Sequence, residues 1–228
     1  MMLLTKLLQR LPIAFYPYKQ FMHKNKCIFI HIPKNAGTSI LKVFADKTGR
    51  KHAKWYDFYR ASHYFFNRYT KFAIVREPLE RLHSSYQYYL LGGNQKPEDI
   101  AVQQLITNNC NSFESFIHQV LNADFLMLQL LFQPQYLYIY DRQLNCRVDV
   151  LLRYEHLTED WYDFAYKMKY PTHLPWLNAS KNRSDNCAEN GDDKVIEISA
   201  AAKNKVYELY KFDYQLLGYD KEAMLHHE

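Results

Sequence analysis

The sequence contains few of the residues that interrupt or cross-link a folded chain. With 6 Gly and 8 Pro among 228 residues, it cannot form a collagen-like or linker-rich architecture. Its 4 Cys lie far apart and include no Cys-x-x-Cys pair, which predicts neither a zinc site nor a dense disulfide framework and favours a reducing compartment. No apolar run approaches the ~18 residues that a membrane-spanning helix requires.

Aromatic residues and positive charge are plentiful instead. The chain has 20 Tyr, 14 Phe and 3 Trp, more than a core of this size needs, so we expect some of these rings to line a concave site. The formal net charge of +5 favours an anionic partner. Hydrophobic residues make up 48% and charged residues 23% of the chain, which excludes wholesale disorder.

The first 25 residues have a pattern of their own. Leucines at positions 3, 4, 7, 8 and 11 recur at helical spacing, with Lys6 and Arg10 elsewhere on the helix. A short basic amphipathic helix of this kind can rest on an anionic membrane, and packing on its own domain is the alternative. We predict an amphipathic segment over residues 1–25 with peripheral membrane contact through residues 1–11, one folded domain over residues 26–220, and a tail over residues 221–228.

Two stretches of the domain predict the same succession of strand, tight loop and helix. Residues 27–30 and 72–75 are apolar runs with the length of buried strands, and helical apolar spacing follows each of them. Further elements are predicted as strands at residues 137–140 and 148–152, a helix at about 158–169, a long loop at 171–193 and a last helix from about 194. This alternation predicts an α/β fold with a largely parallel sheet covered on both faces.

The loop after the first strand has the composition of an anion site. A loop between a buried strand and a helix presents free backbone N–H groups and the positive end of the helix dipole. Gly37 permits close approach of the backbone to an anion, and Lys34 adds a positive charge. Thr38 and Ser39 add hydroxyl donors. Because the lysine leads the loop, this is not a Walker A motif.

A second anion anchor is predicted at the end of the second strand. Arg76 follows residues 72–75 directly, and Ser84 lies in the helix that comes next. The carboxyl ends of parallel strands meet at one edge of a sheet. Lys34 and Arg76 together therefore suit a ligand with two separated anionic groups.

The two stretches together resemble a known family. HIPKNAGTS at residues 31–39 and FAIVREPLERLHS at residues 72–84 are similar to the paired signature of the sulfotransferases that use 3′-phosphoadenosine 5′-phosphosulfate (PAPS), and most similar to the carbohydrate branch that includes the 2-O-sulfotransferases. Weaker matches lie at residues 133–135, 151–155, 177–180 and 212–214. The resemblance implies a P-loop-NTPase-like three-layer fold with a mostly parallel central sheet. It also implies metal-free transfer of a sulfuryl group from PAPS to a carbohydrate hydroxyl, which releases PAP.

The resemblance implies roles for particular residues. The 5′-phosphosulfate would be held by the loop residues Lys34, Asn35, Ala36, Gly37, Thr38 and Ser39. The 3′-phosphate would be held by Arg76 and Ser84, and Lys34 would also be catalytic, since it neutralises charge on the oxygen that leaves with PAP. Apart from the resemblance, Lys181 and Arg183 in the long loop are expected to close over the donor or the acceptor, with a merely solvated role as the alternative.

A histidine is the expected general base. In the family a histidine-rich stretch ahead of the arginine-bearing strand supplies it, and the matching residues 60–66 contain His63, our first candidate. Ala61 and Phe132 stand at positions where the family often has another histidine. The alternatives are His31, beside the loop, and His83 and Glu77, in the second stretch.

The expected acceptor is an anionic or hydroxyl-rich glycan or a glycolipid. Residues 50–71 hold six basic residues against one acidic residue, interleaved with Trp and Tyr rings, and such rings stack on sugars while the charges attract an acidic polymer. A solvated basic edge is the alternative. For location we expect the cytoplasm of a bacterium, peripheral to the inner membrane, with the Golgi as the alternative.

Two other classes of protein use related features. A nucleotide-dependent kinase or ATPase also has a strand–loop–helix anion site, but it needs a Walker lysine and a magnesium-binding acid, for which Asp141 alone is weak support. A nucleic-acid-binding module also combines basic and aromatic residues. The sequence contains no recognised nucleic-acid-binding motif, so we do not expect a nucleic-acid partner.

Overall fold

Three parallel strands form the sheet of the protein. The computed structural model describes residues 16–175 and 196–220, and within these ranges the strands are β1 (Cys27–Ile30), β2 (Thr70–Val75) and β3 (Val150–Arg153) in the order β1-β2-β3. Ile30 pairs with Ala73, and Val75 pairs with Arg153. The carboxyl ends of all three strands therefore lie at one edge, and the predicted α/β class is confirmed.

Twelve helices accompany these strands in the described part of the chain. They are α1 (Gln20–Asn25), α2 (Gly37–Val43), α3 (Trp55–Ala61), α4 (His63–Phe66), α5 (Pro78–Leu90), α6 (Pro97–Asn109), α7 (Phe113–Gln119), α8 (Ala123–Leu128), α9 (Tyr136–Ile139), α10 (Leu157–Met168), α11 (Ala200–Leu209) and α12 (Lys211–Leu217). None of the helices described is long and apolar enough to cross a membrane.

The chain divides into two compact units. Unit 1 takes the described residues up to Arg76 together with residues 135–175, and it holds the sheet. Every residue of β1 and the last four residues of β2 are buried. Phe72 lies at the centre of this core, with its ring 5.0 Å from that of Phe29, 4.9 Å from Phe164 and 6.2 Å from Trp161.

Unit 2 is helical and has a core of its own. It takes residues 77–134 and 196–220, and its buried apolar cluster draws on α5, α6, α7, α8, α11 and α12. Arg81 is fully buried there, and its guanidinium donates to the carbonyl oxygens of Leu131, Phe132 and Gln133. These bonds offset much of the cost of burying the guanidinium charge.

The helix α5 begins as its sequence predicts. Pro78 occupies the first turn, where its missing N–H is not needed. Glu77 caps the helix, since its carboxylate accepts from the backbone N–H of Glu80 at 2.6 Å, and the hydroxyl of Tyr214 donates to the same carboxylate at 2.6 Å. Burial raises the pKa of Glu77 above its usual range, while these two bonds lower it.

The prediction of a strand at residues 137–140 was wrong. These residues belong mainly to α9, which buries Tyr138 and Ile139, and Tyr140 forms a single antiparallel bridge with Cys146. A short apolar run is buried equally well in one helical turn and in a strand, so its composition does not separate the two. The predicted helix at about 158–169 is present as α10.

Several predictions fall on residues outside those described. These are the amphipathic helix of residues 1–11, most of the long loop, and Lys181 and Arg183 within it. The predicted last helix is present from Ala200, as α11 followed by α12. The predicted boundaries at residues 26 and 220 stay predictions.

Replacement of Phe72 by Ala should destabilise the protein by about 3–5 kcal/mol, the usual cost of emptying a buried aromatic site. Urea unfolding followed by Trp fluorescence measures the change. The matched control is Tyr162→Ala on α10, whose ring is 55% exposed, so its replacement should change the free energy of unfolding by less than about 0.5 kcal/mol. Equal losses in both variants would contradict this account of the core.

Candidate anion-binding active site

The loop between β1 and α2 has an unusual backbone. Lys34 and Ala36 both adopt the left-handed region, with φ of 70° and 51°, which costs a residue with a side chain about 1–2 kcal/mol. Ala36 is the N-cap of α2 and offers no side-chain cap. The surrounding structure therefore stabilises a backbone conformation that is unfavourable for these two residues, as is common where a ligand binds.

Gly37 is required by a close approach of His31. A Cβ atom at Gly37 would collide with Nε2 and the neighbouring ring carbons of His31. The His31 ring is itself buried and stacks on Phe29, at 5.4 Å between centroids and 17° between planes. Because Gly37 has no side chain, the loop can pack directly against the ring of His31, which follows β1.

Lys34, in the loop after β1, is influenced by the positive charges of two arginines. Burial, and then the charges of Arg76 and Arg50, lower the pKa of Lys34 from 10.5 to about 8. Like charges gathered in a partly buried place repel one another. A bound anion would relieve this repulsion, so the cluster has the electrostatics of an anion-binding site.

Arg76 is held firmly at the carboxyl end of β2. Its backbone N–H donates to Oε1 of Gln135 at 3.0 Å, and its carbonyl accepts from Nε2 of the same residue at 2.7 Å. Its guanidinium lies over the ring of Tyr154, 4.3 Å from the ring centroid. The direction in which Arg76 leaves the sheet is therefore set by groups on both its backbone and its side chain.

His52 is the histidine that contacts the loop from another segment. Its Nδ1 lies 3.0 Å from the carbonyl oxygen of His31, and the two rings are 4.4 Å apart. Because a carbonyl only accepts, Nδ1 carries the proton, which leaves the lone pair on Nε2. Burial lowers the pKa of His52 below its ordinary value, so its imidazole is neutral at pH 7.

His63, our first candidate for the base, also belongs to unit 1. It is the first residue of α4, and its ring stacks on Tyr59 of α3 at 4.1 Å between centroids. Its assignment stays a prediction. Among the alternatives, burial holds the pKa of His31 well below the usual range. His83 and Glu77 belong to unit 2.

The remaining predicted site residues are distributed as follows. Asn35 and Ser39 are buried, Ala36 is half-buried and Thr38 is exposed at the first turn of α2. Ser84 is half-buried on α5 in unit 2, and its role toward a 3′-phosphate stays a prediction. The carboxylate of Asp141 accepts from the backbone N–H groups of Gln143 and Asn145 and so stabilises its own turn.

Sequence reasoning missed three residues of this site. Arg50 enters the sequence analysis only within a basic segment, Gln135 only within a weak match, and His52 is not singled out at all. Their contacts join positions that are far apart in the chain, such as His52 with His31 and Gln135 with Arg76. A short sequence motif contains no information about such long-range contacts. The available signal was the unusual density of basic residues directly ahead of α3.

Comparison with known proteins now identifies the class. The sulfotransferase family model matches residues 20–220, which is most of the chain, so the protein belongs to the sulfotransferase family. It is a transferase enzyme of sulfuryl groups. No curated protein and no solved structure shows a significant match to the chain. The family decides among the three classes that the sequence left open.

The low pKa of Lys34 predicts how anion binding depends on pH. A bound anion favours the protonated amine, so affinity should be greatest below about pH 8 and should fall as pH rises through about 8 and Lys34 loses its proton. Sulfate suits the test because it does not titrate in this range. Calorimetry at constant ionic strength measures its affinity. Lys34→Arg stays charged and should abolish the fall; a fall of the same size in that variant would assign it to another group.

Proposed function

We propose that the protein transfers a sulfuryl group from PAPS to a hydroxyl of a carbohydrate and releases PAP. The observation that carries this proposal is that Lys34 and Arg76 follow two neighbouring parallel strands, and that the charges of Arg76 and Arg50 both act on Lys34. A donor with phosphate groups at both its 5′ and 3′ positions supplies negative charge to match these three cations.

The residues present fit this donor. In the proposed arrangement Lys34, the backbone of residues 35–37 and the hydroxyls of Thr38 and Ser39 hold the 5′-phosphosulfate. Arg76 holds the 3′-phosphate, and the role of Ser84 toward the same group stays a prediction from the family resemblance. Lys181 and Arg183 remain candidates to cover the donor. The positive-φ backbone at Lys34 and Ala36 supports this arrangement, since it shapes the loop before any ligand arrives.

The chemical step needs a base and a cation on opposite sides of the sulfur. The acceptor hydroxyl oxygen forms a bond to sulfur, its proton passes to Nε2 of His52, and the bond from sulfur to the phosphate oxygen breaks. Lys34 stabilises the charge that develops on that oxygen as PAP leaves. Catalysis of this kind works by positioning and electrostatics, as in phosphoryl transfer.

The acceptor side of the proposal rests on aromatic and basic residues near His52 in the chain. Trp55 is fixed by donation of its indole N–H to the carbonyl of Tyr140 at 2.8 Å, and the guanidinium of Arg147 lies over its ring at 4.9 Å. Tyr56 is exposed beside it, and Lys54 lies over Tyr138. Rings and cations together favour an anionic glycan over a neutral one.

The proposal is tested by transfer of radioactive sulfate from labelled PAPS to a panel of glycans, with PAP affinity measured in parallel. Wild type should bind PAP and label an acidic glycan. Lys34→Ala and Arg76→Ala should each lower turnover at least ~10²-fold. Lys24→Ala, on α1, is the matched lysine control and should keep full turnover. Near-native turnover in Lys34→Ala, or no affinity of wild type for PAP, would refute the proposal.

A pair of substitutions separates the two candidate bases. His52→Asn keeps an N–H donor for the His31 carbonyl but removes the base, so kcat should fall ~10²–10⁴-fold with PAP affinity retained. His63→Asn should change kcat less than about threefold. The wild-type profile of kcat/KM should rise below the usual histidine range, because His52 must be neutral, and should fall near pH 8 as Lys34 deprotonates. The reverse result for the two variants would make His63 the base.

A further inference from the structure

The side chain of Gln135 joins the two anion-binding elements of unit 1. Its Oε1 accepts from Nδ2 of Asn35 at 2.7 Å and from the backbone N–H of Arg76 at 3.0 Å. Its Nε2 donates to the carbonyl of Arg76 at 2.7 Å. Gln135 has no exposed surface, so all three bonds are shielded from water.

Asn35 completes the connection from the loop side. Besides its bond to Gln135, Nδ2 donates to the carbonyl of Ile74 at 2.7 Å, so both hydrogens of this amide are used. Asn35 is itself 1% exposed. The residue next to Lys34 is thereby tied to β2 at Ile74 directly and at Arg76 through Gln135.

The pattern is specific to a carboxamide of this length. The amide of Gln135 meets the N–H and the carbonyl of Arg76 as a further peptide group would, so it extends the pairing of β2 beyond its last residue. A carboxylate has no hydrogen to donate to the Arg76 carbonyl. An aliphatic side chain of the same size makes none of the three bonds and leaves the N–H groups of Arg76 and Asn35 buried without acceptors.

We propose that Gln135 is a positioning residue that fixes the separation between the Lys34 loop and Arg76. This inference rests on the proposed function, in which these two elements hold the 5′ and 3′ groups of one donor. A ligand with two charged groups gains affinity from two anchors only while their spacing matches its own. Rigid spacing also removes the cost of ordering the site when the donor binds.

The test compares PAP with 5′-AMP, which differ in the 3′-phosphate. In wild type PAP should bind much more tightly than 5′-AMP. In Gln135→Met the ratio of the two affinities should fall ~10-fold, and KM for PAPS should rise more than kcat falls. Gln133→Met is the matched control, because its amide donates instead to the Met127 carbonyl in unit 2, and it should keep the wild-type ratio.

The ratio separates positioning from general stability. A merely structural role would weaken PAP and 5′-AMP equally, and an unchanged ratio in folded Gln135→Met would overturn the inference. Gln135→Glu keeps both acceptor contacts and loses the donation, so its ratio should fall by a smaller factor than that of the Met variant.

A second approach comes from the other end of the link. Asn35→Ala removes the link from the loop side, together with the bond to Ile74, and should lower the ratio; it decides the question if Gln135→Met does not fold. A wild-type ratio in folded Asn35→Ala would overturn the inference. A wild type that shows no preference for PAP over 5′-AMP would instead refute the proposed function on which the inference rests.

Discussion

The parallel pairing of β1 with β2 is the constraint on which the site depends. It sets Ile30 beside Ala73, so the chain leaves both strands at the same edge and brings Lys34 under the influence of Arg76. The resulting repulsion opposes folding, and burial of the strand residues offsets it. A site of this kind is less stable than it would be with neutral residues, and a bound anion would offset that loss of stability.

Buried polar groups, more than apolar packing, give the site its shape. The amides of Asn35 and Gln135 provide partners for backbone groups at the end of β2, where the sheet itself no longer does so. The carbonyl of His31 accepts from His52, and the ring of His31 packs against Gly37. Each of these contacts has a direction, so together they define one arrangement of the loop, as nonpolar contacts would not.

Burial leaves the two proposed catalytic groups, Lys34 and His52, in different charge states. It lowers the pKa of both Lys34 and His52, since it disfavours the charged form of each. The pKa of Lys34 starts high, so its amine stays protonated at pH 7 after the decrease. The pKa of His52 starts near neutral pH, so the decrease leaves its imidazole uncharged. In the proposed mechanism, one physical effect therefore yields a cation for the leaving oxygen and a base for the acceptor within the same range of pH.

The sequence by itself determined the two strands, the loop from Lys34 to Ser39, the position of Arg76 and the family, because each is a run of neighbouring residues whose chemistry can be read locally. Only the tertiary structure decided that residues 137–140 are helical, that His52 reaches the loop and that Gln135 binds both Arg76 and Asn35. Those contacts join residues 21, 59 and 100 positions apart. These contacts are determined by how the strands pair and by how the chain returns to the sheet. No short pattern of residues encodes either feature.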